Sequence, residues 1–271
     1  MLATTGAPDS EPQEIPGGPG PAVSVRAVGH SFGELVALER IDLELPAGGV
    51  LGIVGPSGCG KSTLLEIVSG LTEPDSGEIS ILGAAPGPDG RLARSVLMPQ
   101  RDLLLPWLSA LDNAALGLSL GGASRQDARE RAGGDFERLG LGGFEQARPQ
   151  ELSGGMRQRV AFLRTLVSGK QVLLLDEPFA SLDAITRAET QAWLAGVLAA
   201  DSHTVLLVTH DVEEALYLSD RVAVLTPRPG RVAATIEVPS PRAPDRAAAV
   251  TSTGFVELRE RALRLLAGEA A

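Results

Sequence analysis

The sequence predicts an α/β fold: buried parallel strands alternate with helices, an antiparallel β-subdomain comes first, and a helical subdomain is inserted in the middle. Three observations carry that prediction. Residues 50–54 are continuously apolar apart from Gly52, as a strand covered on both faces must be, and they run through a glycine-rich turn into a helical stretch, Lys61 to Ser69. Two further buried strands, Val172 to Leu175 and Thr204 to Thr209, flank a helical segment at 184–200, so the strand–helix alternation resumes. Between Leu103 and Arg148 strand signals vanish; Leu, Ala, Arg and Glu dominate, broken by Gly121-Gly122, Gly133-Gly134 and Gly142-Gly143.

Taken in order, residues 1–21 are acidic and rich in Gly, Pro, Ser and Thr, lack the basic start and apolar stretch of a secretory signal, and read as a disordered tail. From Ala22 to Val54 apolar residues alternate with polar ones, clearest in Ile41-Asp42-Leu43-Glu44-Leu45, the pattern of half-buried antiparallel strands. Strands are expected at Ile79 to Leu82 and Ser95 to Met98, with the Pro/Gly-rich stretch Gly83 to Gly90 as an exposed hairpin connection. Val222 to Leu225 continues the core sheet, and Pro227 to Val238 reads as a turn and β-hairpin. After a Pro/Arg linker, Phe255, Leu258, Ala262, Leu265 and Leu266 mark an amphipathic helix within 241–271.

Composition narrows the function classes. The 271 residues carry 34 acidic and 24 basic side chains, a formal charge of -10, so a general nucleic-acid surface is excluded as a first reading. A single cysteine, Cys59, rules out an intramolecular disulfide, and three histidines leave few ligands for a transition metal. The longest apolar runs, such as Val172 to Leu175, fall far short of the ~18 residues that span a bilayer, so a soluble or peripheral chain is expected.

Gly55-Pro56-Ser57-Gly58-Cys59-Gly60-Lys61-Ser62 fits G-x-x-x-x-G-K-[ST] and lies between a buried strand and a helix, the context a phosphate-binding loop needs. Its glycines let backbone N–H groups curl around a phosphate, and the helix N-terminus adds a favourable dipole. Lys61 would reach the β- and γ-phosphates, Ser62 would hold Mg²⁺, and Thr63 would offer a hydroxyl to the α-phosphate. Lys61 and Lys170 are the only lysines, so a chain that otherwise uses arginine has placed an ammonium point charge here. Cys59 beside that helix start is either a thiol partly activated by the dipole or a small buried filler. Asp176 and Glu177 close the strand at the sheet edge where ligands bind, Asp176 suiting a Mg²⁺ ligand and Glu177 a base that polarises water.

Leu152-Ser153-Gly154-Gly155-Met156-Arg157-Gln158-Arg159 adds a second anion-binding helix start. In order with the phosphate loop, Gln100, Asp176-Glu177, Ser181-Leu182-Asp183 and His210, it makes the chain resemble the ATP-binding cassette ATPases from about Ala22 to Val238. The resemblance implies a P-loop NTPase, RecA-like core in a domain at 22–240, with the helical subdomain at about 101–158. It implies ATP and Mg²⁺ as ligands and a head-to-tail homodimer in which Ser153, Gly154 and Gly155 of one cassette meet the γ-phosphate held by Lys61 of the other, near Asp183. It also implies that Gln100 senses γ-phosphate and Mg²⁺, that His210 holds γ-phosphate and water, and that Phe32 stacks on adenine. A Phe after a strand is otherwise core, and the family usually has Tyr there. His30 and His203 match no family position and read as solvated or structural.

The segment Asp102-Leu103-Leu104-Leu105-Pro106-Trp107-Leu108 follows Gln100 directly, and a surface from Leu103 to Asn113 is expected to dock a transmembrane permease subunit. With Leu174 to Ala184 and Thr209 to Ala215, it is similar to bacterial importer cassettes of the nitrate, sulfonate and taurine group, peripheral on the cytoplasmic face of the membrane and served indirectly by a solute-binding protein. Cassettes for thiamine pyrimidine precursors are similar too. A regulatory cassette that signals to a membrane partner without moving a solute is the rival from another class.

Overall fold

Antiparallel strands come first among the described residues because apolar residues alternate with polar ones there, and the computed structural model, which describes residues 20–84, 87–200 and 202–268, places them as read. Of the expected tail, residues 1–19 lie outside the described residues. Strands β1 (Val23–Phe32), β2 (Leu35–Leu45) and β4 (Ser76–Ile81) form a three-stranded antiparallel sheet in the order β2-β1-β4.

The second sheet has six strands in the order β5-β6-β7-β3-β8-β9: β3 (Val50–Val54), β5 (Ser95–Met98), β6 (Val172–Asp176), β7 (Thr204–Thr209), β8 (Arg221–Leu225) and β9 (Val232–Glu237). All pairings are parallel except β8 with β9. Every residue of β3 and β7 is buried, which is why neither shows alternation in sequence. Their side chains still divide by parity. Leu51, Ile53, Leu206 and Val208 pack with the antiparallel sheet and with Leu64, Leu65 and Val68 of helix α1 (Lys61–Ser69). Val50, Val54, Val205 and Leu207 pack on the opposite side, with the core that includes Phe162, Leu194 and Leu216. These last come from helices α5 (Gly154–Leu166), α6 (Ala184–Ala200) and α7 (Val212–Leu218). Each fully buried Leu, Ile or Val contributes about 1.5–3 kcal/mol, so a slip of one residue in any central strand exchanges both cores at once.

Two sequence expectations are corrected. Gly83 to Gly90 is not a hairpin connection: β4 pairs with β1 and β5 with β6, in different sheets, and helix α2 (Pro88–Arg94) lies in the crossover. Pro88 starts that helix, and its buried Arg91 is anchored to Glu73 at 2.9 Å. The composition concealed the helix because its fixing contact is an ion pair instead of an apolar stripe. The hairpin expected within Pro227 to Val238 instead has β8 and β9 as its arms.

The inserted helices are α3 (Ala110–Leu120) and α4 (Arg125–Gly134), capped by Ser109 and Ser124, followed by a 3₁₀ turn at Pro149–Glu151. Arg125 and Arg129 of α4 both pair with Asp112 of α3, locking the two together. At the C-terminus, α8 (Arg246–Thr251) and α9 (Thr253–Leu266) follow the linker, and Phe255 and Ala262 of α9 are buried in the core as the apolar spacing requires.

Candidate functional site

The phosphate loop joins the buried end of β3 to the first turn of α1, and its shape follows from glycine. Gly58 and Gly60 have φ of +76° and +102°. A Cβ at Gly60 would lie 2.6 Å from Leu38 Cδ2 and 3.1 Å from the Ala37 carbonyl oxygen. Gly60 is also the N-cap of α1 and supplies no side-chain cap, so the helix start keeps its N–H groups for a ligand. Lys61 is 5% exposed, and its Nζ donates to the carbonyls of Gly55 at 2.8 Å and Pro56 at 3.1 Å. The ammonium is thereby held over the loop by carbonyls that a phosphate oxygen can outcompete. The activated thiol is corrected: Cys59 is buried, and burial pushes its thiol up against the opposing charge of Lys61. Its Sγ lies 4.0 Å from Lys61 Nζ and 2.7 Å from where a Gly55 Cβ would stand, and the side chain belongs to the apolar core shared with Leu38 and Leu64.

Across the loop, Asp176 ends β6 and accepts a hydrogen bond from Ser62 Oγ at 3.2 Å. Burial raises the Asp176 carboxyl above its ordinary value; the Ser62 bond opposes this and the neighbouring Glu177 adds to it. An adjacent hydroxyl and desolvated carboxylate are hard oxygen donors near a phosphate cradle, a set that fits Mg²⁺. Glu177 has φ +43° and donates its N–H to the Val208 carbonyl at 2.8 Å, so a strained backbone aims its carboxylate away from the sheet. Gln100 Nε2 lies 3.3 Å and His210 Nδ1 3.0 Å from the same Glu177 Oε2.

One open cleft of about 570 Å³ is lined by Ser57, Gly58, Gly60, Lys61, Ser62 and Thr63 together with Gln100, Glu177 and His210; Asp176 is not among its lining residues and reaches it through Ser62. Phe32 stands on its rim, 54% exposed, with its ring edge-on to His30 at 4.8 Å, so it is not a core residue. His30 is buried behind it, 3.4 Å from Asp75.

The Ser153 helix start and Asp183 stay apart from that cleft. Ser153 caps α5 through Met156 N at 3.2 Å, and Gly155 packs so closely on α6 that a Cβ would meet Thr186 Cγ2 at 2.5 Å. Gly154 begins the same helix. Asp183 caps α6 through the N–H groups of Ile185 and Thr186, both at 3.1 Å, and the hydrogen bonds from Thr186 are the main reason its carboxyl is held low.

Several working residues were missed in the sequence. Arg157 joins α5 to Asp102 at 3.2 Å and to the Leu152 carbonyl at 2.9 Å, and Gln158 donates to the Pro178 carbonyl, so the Ser153 helix is tied to the segments after both Gln100 and Glu177. Arg228 also lines the cleft. Its only sequence signal was a lone Arg between two prolines and ahead of Gly230.

The expected docking surface is narrower than Leu103 to Asn113. Leu103 and Trp107 are 57% and 65% exposed, whereas Leu104, Ala110, Leu111 and Asn113 are buried. A second open depression of about 650 Å³, lined by Gln100, Asp102, Leu103, Arg157, Ala180 and Ser181 among others, adjoins Leu103. Among the described residues, no helix is long and apolar enough to cross a membrane.

Residues 38–180 match the ABC transporter family model. The chain belongs to the ABC transporter family. It is the family's ATP-binding cassette, an ATPase, and ATP is its ligand. It is 44% identical over 236 residues to an uncharacterized ABC transporter ATP-binding protein of Methanocaldococcus jannaschii, covering 86% of this chain and 85% of that one. It is 49% identical over 199 residues to an aliphatic sulfonates import ATP-binding protein of Rhodococcus jostii (73% and 77% covered). It is 42% identical over 248 residues to a taurine import ATP-binding protein of Chromobacterium violaceum (89% and 92% covered). Among solved structures, a dimeric ATP-binding cassette in a post-hydrolysis state bound to ADP and Pi superposes with a TM-score of 0.70 at 30% identity, covering 80% of this cassette and 99% of that chain.

Proposed function

We propose that this cassette drives import of a small organic or oxyanion solute of the sulfonate and taurine type, hydrolysing ATP in a head-to-tail homodimer docked on a membrane permease. The observation that carries the catalytic part is the convergence of Gln100 and His210 on one oxygen of Glu177 across the cleft from Lys61. The importer part is supported by relatives named for sulfonate and taurine import.

In this reading the adenine lies on Phe32 and the phosphates in the loop 55–63, where Lys61 exchanges its carbonyl partners for β- and γ-oxygens. Ser62 and Asp176, with Gln100, would hold Mg²⁺, which when bound withdraws charge from the phosphate oxygens. Glu177 Oε2 orients a water and accepts its proton as the water oxygen bonds to the γ-phosphorus; the bond from that phosphorus to the bridging oxygen breaks, and ADP leaves with its electron pair. His210 and Gln100 fix the position of the carboxylate, and positioning of this kind carries most of the acceleration in phosphoryl transfer.

The site is incomplete within one chain, since Ser153, Gly154, Gly155 and Asp183 do not line its own cleft. A second copy placed head to tail would bring its α5 N-terminus to the γ-phosphate, as the dimeric arrangement of the solved relative supports. Loss of γ-phosphate then removes the bridge between copies, and the opening is transmitted through Gln100, Asp102 and Arg157 to the exposed Leu103 and Trp107. We take residues 22–240 as the ATPase domain, about 101–158 as its helical subdomain and 241–271 as a C-terminal addition. The cassette sits peripherally on the cytoplasmic face, with a solute-binding protein as an indirect partner and no nucleic-acid partner.

Replacing Trp107 by Glu tests the coupling: a charge without a partner in the interface should abolish co-purification with a co-expressed permease subunit, while the isolated cassette still binds ATP. A Trp107→Glu cassette that still co-purifies and supports solute-stimulated ATPase overturns the docking surface. Taurine or alkanesulfonate uptake by the assembled system supports the solute class, and stimulation by a membrane partner without uptake of any solute favours the regulatory reading.

A further inference from the structure

We propose that Arg228, outside every motif of the cassette, is a nucleotide-positioning residue that fixes the phosphate loop and adds a second positive charge to the polyphosphate site. Its Nε and Nη2 both donate to the Gly58 carbonyl, at 3.0 and 2.8 Å, in the fork geometry that only arginine offers. The guanidinium occupies the space a Gly58 side chain would take, with Nη2 2.9 Å from the Cβ position. Arg228 is exposed in the cleft, and Nη1 has no hydrogen-bond partner among the described residues. Lys61 and Arg228 are the two fixed cations among the residues that line it.

The turn that presents Arg228 is built for rigidity. Thr226 Oγ1 donates to the Pro229 carbonyl at 3.1 Å and accepts from Arg231 N at 3.0 Å. Gly230 exchanges backbone hydrogen bonds with β2, its N–H donating to Ala37 O and its carbonyl accepting from Glu39 N, both at 3.0 Å. Arg231 closes the turn on Glu39 at 2.7 Å. Gly230 lies against the Cys59 carbonyl, where a Cβ would collide. The turn therefore grips the strand beneath the cleft and the phosphate loop at the same time, and it delivers a guanidinium whose position is settled before the ligand arrives.

Two consequences follow. A loop carbonyl left free beside a polyphosphate repels it, and the bidentate bond to Gly58 withdraws that dipole. The remaining charge of the guanidinium, exposed in the cleft, attracts the phosphates directly and is sensitive to salt. Arg228 thus acts on affinity more than on the chemical step, which belongs to Glu177.

The inference rests on the cleft being the nucleotide site, so the experiment carries a control for that reading. MgADP and MgATP dissociation constants are measured by calorimetry for the wild-type cassette, Arg228→Gln, Arg228→Lys and Lys61→Ala, at low and high salt, alongside melting temperature. Arg228→Gln should bind both nucleotides about tenfold or more weakly, the loss expected for a charge-assisted contact, with a flatter salt dependence and a KM effect larger than the kcat effect. Arg228→Lys should keep the salt dependence and recover part of the affinity. Wild-type affinity and salt dependence in Arg228→Gln, or equal losses in Gln and Lys with an unchanged salt response, overturn the proposal; the second outcome makes Arg228 a brace only. If Arg228→Gln does not fold, wild-type affinity in Arg228→Lys overturns it. Should Lys61→Ala bind nucleotide normally, the reading of the cleft itself fails, whatever Arg228 does.

Discussion

Asn113 is buried completely, yet it organises the exposed loop that carries Trp107. Its Oδ1 accepts from Leu105 N at 2.7 Å, and its Nδ2 lies within donating distance of the carbonyls of Leu105 at 3.1 Å, Leu108 at 3.3 Å and Ser109 at 3.0 Å. Two Nδ2 hydrogens serve three carbonyls; Ser109 O also accepts from Asn113 N at 2.9 Å and Leu105 O from Leu108 N at 3.1 Å, so substitution orphans about two backbone groups, Leu105 N and Leu108 O. Asn113→Ala should cost about 1–3 kcal/mol for each of those groups, about 2–6 kcal/mol in all. At roughly 2–4 °C per kcal/mol for a domain of this size, the melting temperature should fall by about 4 to 24 °C. Thermal unfolding measures this, and limited chymotrypsin digestion measures the loop: cleavage at Leu105 to Leu108 should accelerate while ATP affinity holds, because the cleft residues do not touch Asn113. Asn113→Asp keeps the acceptor but loses the donors and buries a charge, so it should be worse than Ala. An Asn113→Ala cassette with unchanged melting and unchanged cleavage would refute the claim that this amide shapes the loop.

Three more outcomes follow from particular contacts. Glu214 is buried on α7, bonded to Gln191 at 3.2 Å, and burial pushes its carboxyl up to about 8, so the folded state holds a proton that the unfolded state releases between about pH 4.5 and 8. Stability from this group is full below that window and declines as pH rises through it; Glu214→Gln should flatten the decline in melting temperature, and an unchanged slope would refute it. Gly60→Ala forces a Cβ onto Leu38 at a φ that L-residues avoid by roughly 1–2 kcal/mol, so MgATP affinity should fall at least about tenfold, and wild-type affinity by calorimetry would contradict the loop geometry. Cys59, buried with a raised thiol pKa, should alkylate in the native protein at least about tenfold more slowly than free cysteine at pH 8, and a rate equal to free cysteine would show the sulfur facing the cleft.

What the sequence disclosed depended on which force fixes each element. Strands β3, β6 and β7 were legible because burial on both faces demands continuous apolar runs, and the phosphate loop because its glycines, Lys61 and Ser62 stand at fixed spacing. Helix α2 was not, since seven residues with one exposed leucine carry no apolar period and are held by Arg91 on Glu73. At the site, Gln100 and His210 were named from resemblance and Glu177 from its place at a strand end, but their meeting on one carboxylate oxygen follows from strand order, which places β6 between β5 and β7. Arg228 approaches Gly58 from 170 residues away through the β8–β9 turn, a contact no local pattern encodes. The Cys59 thiolate expectation took a helix dipole from position in the chain, without the side-chain direction that turns the sulfur into the core.

In the proposed mechanism Glu177 is the base of a site completed by a second cassette, and Glu177→Gln tests both halves at once. The amide keeps the size of the side chain and leaves the cradle around Lys61 intact, but it cannot accept the proton of water; loss of a general base lowers the rate roughly 10²- to 10⁴-fold. Light scattering after gel filtration, with and without MgATP, should show this variant as an ATP-dependent dimer that returns to monomer when ATP is removed, with hydrolysis reduced at least about 100-fold. A variant that hydrolyses ATP at the wild-type rate and stays monomeric in saturating MgATP would contradict the account.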